Sequence, residues 1–69
     1  MPVNLELEIE REGKNVTISG RCSEGNFILT LRNSDSAALA SVLTTASAFD
    51  QDDQIFSFVS KRAEVQFSK

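Results

Sequence analysis

The chain has 69 residues, ten acidic and seven basic side chains for a formal net charge of −3, one cysteine and no histidine. A lone cysteine rules out an internal disulfide, and one thiol without histidine rules out the usual zinc ligand sets. The acidic balance argues against a general binder of phosphate backbones, which is typically basic. Residues 1–69 make one domain. A chain this short buries only about 60% of its unfolded surface, and small scaffolds usually add disulfides, a metal or oligomerisation. Of these supports, oligomerisation is the one the composition leaves open. The lone cysteine and the opening MPVNLELEIE, which has neither a basic nor an apolar leader region, point to a reducing cytoplasm.

In chain order, Val3 to Arg11 alternates. Val3, Leu5, Leu7 and Ile9 take one side; Asn4, Glu6, Glu8 and Glu10 take the other, as in a half-buried strand. Glu12-Gly13 can form a two-residue hairpin loop with Gly13 at positive φ. Closing there pairs Ile9 with Val16 and Leu7 with Ile18 and sets Gly20 opposite Leu5; a slip by two residues would keep the same faces. The second strand, Asn15 to Cys22, points Val16, Ile18 and Cys22 inward and Thr17, Ser19 and Arg21 outward. After a turn at Ser23-Glu24-Gly25-Asn26, a third strand runs from Asn26 to Arg32 with Phe27, Leu29 and Leu31 inward. The outer face then reads in rows: Glu8–Thr17–Arg32, Glu6–Ser19–Thr30 and Asn4–Arg21–Ile28.

The next stretch, Ser36 to Phe49, has helical spacing and no charge. Leu39, Val42, Leu43, Ala46 and Phe49 share one face, and Asn33, Ser34 and Asp35 are all suitable N-caps. The opposite face holds Ala37, Ala40, Ser41, Thr44, Ser47 and Ala48, where a solvated helix normally carries Lys, Glu and Arg. Such a face is cheap to dehydrate and lets another backbone come close. The run falls short of the ~20 apolar residues a membrane span needs.

The acidic turn Asp50-Gln51-Asp52-Asp53-Gln54 follows. It is not an EF-hand calcium loop, because Ile55 stands where that loop needs glycine and Lys61 where it needs glutamate. It reads as a solubilising turn, or as a contact loop for a basic partner through Asp50, Asp52 and Asp53. The tail is rich in strand formers. A first strand is expected at Ile55–Val59 and a second at Ala63–Phe67, with a bulge or turn near Ser60-Lys61-Arg62; one long bulged strand fits equally. Phe56 and Phe58 are the expected apolar surface that one copy of the fold cannot cover.

Catalytic chemistry is missing from this pattern. Without histidine the usual general base is absent. Cys22 falls at an inward strand position, as a structural thiol does. Gly13, Gly20 and Gly25 are isolated and form no phosphate loop. The expectation is therefore a two-layer α+β domain, β-β-β-α-β(-β), with a three-stranded antiparallel meander, a helix packing Leu39, Val42, Leu43 and Phe49 on the sheet, and one or two further strands. It is expected to be neither an enzyme nor a cofactor binder, and to form a homodimer through Ser41, Thr44, Ser47 and Ala48 of the helix or through Phe56 and Phe58. The expected role is that of a protein-binding module, an adaptor, regulator or inhibitor that occupies a surface of a larger protein. Small acidic single-domain chains of this kind are common among phage and mobile-element proteins that block host machinery, an association that rests on size and charge. Two alternatives stand beside it: a single-stranded nucleic-acid binder using Arg21 and Arg32 on the outer sheet face, and a structural subunit of a larger assembly.

Overall fold

The computed structural model describes residues 3–68. Three strands, β1 (Glu6–Glu12), β2 (Asn15–Cys22) and β3 (Gly25–Arg32), precede a helix, α1 (Asn33–Ala48), and a last strand, β4 (Glu64–Ser68), follows it. The strands form one sheet in the order β1-β2-β3-β4. Every neighbouring pair is antiparallel, β4 lying along β3. This is the expected β-β-β-α-β order.

The pairing register differs from the expected one by two residues. Ile9 faces Ile18 and Leu7 faces Gly20; Ile18 faces Leu29 and Gly20 faces Phe27. The turn is the cause. The first loop is Gly13-Lys14, flanked by the Glu12–Asn15 pair, and Gly13 occupies its first position at φ 61. That placement belongs to a II′ turn, which takes glycine first. Moving the loop by one position moves the pairing by two residues and leaves each side chain on its expected face. The outer rows become Glu6–Arg21–Asn26–Ser68, Glu8–Ser19–Ile28–Gln66 and Glu10–Thr17–Thr30–Glu64. The inner rows become Ile9–Ile18–Leu29–Val65 and Leu7–Gly20–Phe27–Phe67.

Gly20 is buried although it has no side chain. The Phe27 ring lies across it, so a Cβ built at Gly20 would collide with the ring's Cε1, Cζ and Cδ1. A missing side chain in a strand interior here makes room for a cross-strand aromatic.

The helix starts three residues before the expected boundary, and none of Asn33, Ser34 or Asp35 is its N-cap. Arg32 holds that position in extended backbone, with no side-chain capping bond. The Asn33 N–H instead donates to the Lys14 carbonyl at 2.9 Å. The sheet ladder thus continues straight into the helix and satisfies the first of the four N–H groups that have no partner within the helix. Asp35, in the first turn, suits the positive end of the helix dipole.

No strand forms at Ile55–Val59. From Asp50 to Ser60 the chain returns along α1 without a ladder partner. It is held at both ends of that helix. Phe56 meets Phe49 edge to face, with ring centroids 5.5 Å apart, and the Ser60 hydroxyl donates to an Asp35 carboxylate oxygen at 2.8 Å. An apolar run on both parities suggested a doubly covered strand, but the side-chain contacts at its ends fix this segment as an extended strap. Only the second expected strand pairs, as β4.

The helix packs on β2 and β3, with no comparable contact on β1 or β4. Leu39 and Val42 are half-buried, whereas Leu43 and Phe49, expected in the same core, remain largely exposed. The helix follows directly on β3, and the residues of its later turns, 43–48, are exposed. Among the described apolar side chains only Leu31, at 1% exposure, is sealed from solvent.

Candidate protein-interaction surfaces

Two surfaces stand out, one on the helix and one on the sheet. On α1, Ser41, Thr44, Ser47 and Ala48 are all exposed, and Leu43, Thr44, Ser47 and Ala48 line a shallow depression. The Thr44 hydroxyl donates to the Ala40 carbonyl at 2.9 Å. Thr45 donates to the Ser41 carbonyl at 2.9 Å, and Ser47 to the Leu43 carbonyl at 2.8 Å. Each hydroxyl proton is therefore already engaged by the helix's own backbone, the i−4 pattern open to Ser and Thr in helices. Removing water from this face strands none of those donors, and the small side chains allow a close backbone approach. The sequence showed the small residues; the back-bonding that makes them cheap to dehydrate needed coordinates.

Asp50, Asp52 and Asp53 are exposed just beyond the helix. Asp53 has φ 64, a left-handed conformation that aspartate tolerates better than most residues. Together with the helix C-terminus, which lacks a basic residue in its last turn, they make this end of the molecule electronegative.

Phe56 and Phe58 are placed apart from the exposed helix face, in the strap. Phe56 packs on Phe49, and Phe58 is half-buried. Their neighbours are far more open: Ile55 is 94% exposed.

The second surface, which the sequence reading did not single out, is the inner face of the sheet. Ile9 on β1 is 69% and Phe67 on β4 is 81% exposed, and Leu7 and Val65 are about half exposed. These residues come from the two outermost strands, which the helix does not reach. Their alternation was legible in the sequence; that the single helix leaves them uncovered was not.

Arg21 and Arg32 share the outer sheet face, but the register puts them in rows Arg21–Asn26 and Asn15–Arg32, at opposite ends of the β2–β3 ladder. Six strand positions separate those rows, roughly 20 Å at about 3.4 Å per residue. Arg21 already faces two carboxylates, Glu8 at 3.5 Å and Glu6 at 3.7 Å. On the outer face the rows between the two arginines hold Thr17, Thr30, Ser19 and Ile28 and no aromatic ring. Cys22 is half-buried, with its Sγ–H directed at the Gly25 carbonyl at 3.4 Å. No group of three or more His, Cys, Asp or Glu among the described residues is placed to hold a metal ion. No described helix is long and apolar enough to cross a membrane. Comparison with family models, with curated proteins and with solved structures returned no match.

Proposed function

We propose that this chain is a small non-catalytic protein-binding module that seats the exposed face of α1 on a larger protein. The observation that carries this reading is an uncharged helix face whose Thr44, Thr45 and Ser47 hydroxyls donate to their own helix. A solvated helix face gains nothing from lacking charge; a docked one avoids the cost of burying unpaired charge. The acidic end formed by Asp50, Asp52 and Asp53 gives the contact a direction and calls for a basic rim on the partner. An adaptor, regulator or inhibitor of this kind acts by occupying a surface, with no bond made or broken.

The test is a photo-crosslinking residue at Thr44 in the full chain, with Thr30 on the outer sheet face as control. Thr44 is expected to capture one defined protein that Thr30 does not. Ser41→Lys and Ser47→Lys, both at exposed positions, should weaken binding of that purified protein by about 100-fold or more while leaving the circular dichroism spectrum unchanged. Equal capture at both sites, or binding unaffected by the lysines, overturns the proposal. So does salt-sensitive oligonucleotide binding that is lost in the Arg21→Ala/Arg32→Ala variant.

A further inference from the structure

The inner face of the sheet has a different occupant. We infer that a second copy of this chain packs on it, face to face, across Leu7, Ile9, Val65 and Phe67.

The first argument is area. A folded chain of 7.6 kDa exposes about 4,300 Å² by the scaling of accessible surface with mass. This chain exposes 5927 Å², an excess of about 1,600 Å² over that expectation. Standard protein complexes bury about 800 Å² on each partner, and obligate homodimers roughly 1,000–2,500 Å². The excess belongs to the whole chain, with Ile55 and Val59 of the strap contributing to it, and marks a protomer more open than a self-sufficient chain of its mass. The shape agrees. The molecule measures 35 × 34 × 18 Å with a radius of gyration of 13.6 Å, against about 11 Å for a compact chain of this length. It is a thin slab.

The second argument is the core. With Leu31 as the one sealed apolar side chain among the described residues, the protomer has little core of its own. Whatever covers the inner face has to be present whenever the chain folds. A second copy meets that condition at every synthesis, whereas a separate protein must be made in step with it.

The third argument is charge. On the paired strands the inner face carries only Arg11, at its margin beside Val16. Two copies related by a two-fold axis can bring these faces together without opposing like charges, as an isologous interface requires. The outer face cannot do the same, because Glu6, Glu8, Glu10 and Glu64 lie on it. Nor does edge pairing through β1 suit two copies, since it would set one row of glutamates beside another. A second copy has to meet the inward side chains of β1 and β4 that α1, on β2 and β3, leaves open. This face is distinct from the exposed face of α1, so either assignment can fail alone.

The experiment is sedimentation of the full chain across a dilution series, with isotope-filtered nuclear Overhauser measurements on a mixed labelled and unlabelled sample. The expected result is twice the chain mass at micromolar concentration, with intermolecular contacts from the Ile9 and Val65 methyls to the Phe67 ring. Phe67→Lys and Ile9→Lys alter side chains already open to solvent in the protomer; each should weaken the dimer by about 100-fold or more. Thr44→Lys should leave it intact. The filtered spectra need no substitution, so they decide the matter even if a lysine variant fails to fold. A folded monomer at tens of micromolar overturns the inference. So does a dimer whose intermolecular contacts come from α1, or from β4 backbone paired edge to edge.

Discussion

At the scale of single residues, Gly20 and Phe27 decide how the open end of the sheet is filled. The ring occupies the volume a β-carbon would take, so Gly20→Ala has to swing Phe27 off its strand. Inserting atoms into packed structure costs about 1–3 kcal/mol, and the open space beside Phe67 and Cys22 places this case near the lower end. Chemical denaturation should show Gly20→Ala as destabilising in the native background and nearly neutral once Phe27→Leu has removed the ring. Equal losses in both backgrounds would mean that strand propensity, not the collision, sets the cost. The outer face illustrates the opposite limit. Arg21 reaches Glu6 and Glu8 from a side chain 66% exposed, and such surface pairs contribute roughly 0–1 kcal/mol. They bias the face toward neutrality more than they hold it together. Arg21 and Arg32 were both assigned to this face from strand parity, which is a local property. Their separation along the ladder depends on the turn, which parity does not see.

At the scale of elements, the helix and its strap form a unit joined at two points. Phe49–Phe56 closes one end and Asp35–Ser60 the other. Edge-to-face aromatic pairs contribute about 0.5–1.5 kcal/mol beyond their burial. A double-mutant cycle of Phe49→Ala and Phe56→Ala should return a coupling at the lower end of that range, because Phe49 is only partly covered. Limited proteolysis should quicken between residues 50 and 60 in either single variant while β2 and β3 keep their hydrogen-exchange protection. A coupling near zero would mean that the strap is held by Asp35–Ser60 alone. The periodicity of Leu39, Val42 and Leu43 made the helix legible. Its early start was hidden, because the signal for a helix beginning is a capping side chain, and here none caps the helix and a carbonyl of the first hairpin loop takes its first N–H. The Ile55–Val59 segment shows a related ambiguity. Strand-forming residues on both parities describe a chain buried on two sides or a chain that pairs with nothing, and composition does not separate the two.

At the scale of the whole molecule, one helix is too little to cover four strands. It spans the middle of the sheet and leaves apolar side chains of both edges in water. If a second copy completes the core, folding and association are one process, and stability depends on protein concentration. Thermal unfolding should then shift: each tenfold dilution is expected to lower the midpoint by about 3–6 °C, the effect of roughly 1.4 kcal/mol on an assembly of this size. A midpoint independent of concentration would mean that the protomer supplies its own core. Ile55→Ser serves as the internal control, since a side chain 94% exposed should change the midpoint by less than a degree or two.

The sequence by itself determined the three-stranded meander followed by a helix and strand-forming tail, the face each strand residue occupies, the uncharged helix and the absence of histidine chemistry. These follow from local rules: a period of two or 3.6, the identity of a loop residue, the charge along a face. The tertiary structure decided the register, the unpaired strap, the separation of Arg21 from Arg32 and the open inner face. The strap and the open face depend on where distant segments meet, and the register and the arginines' separation on which of two adjacent loops the turn selects. The II′ placement of Gly13 moves every partner in the first hairpin by two residues without changing one side chain's parity. The packing of α1 on β2 and β3 fixes which apolar residues it covers. Alternation specifies that Ile9 and Phe67 seek cover, and the path of the helix decides that their own chain does not provide it.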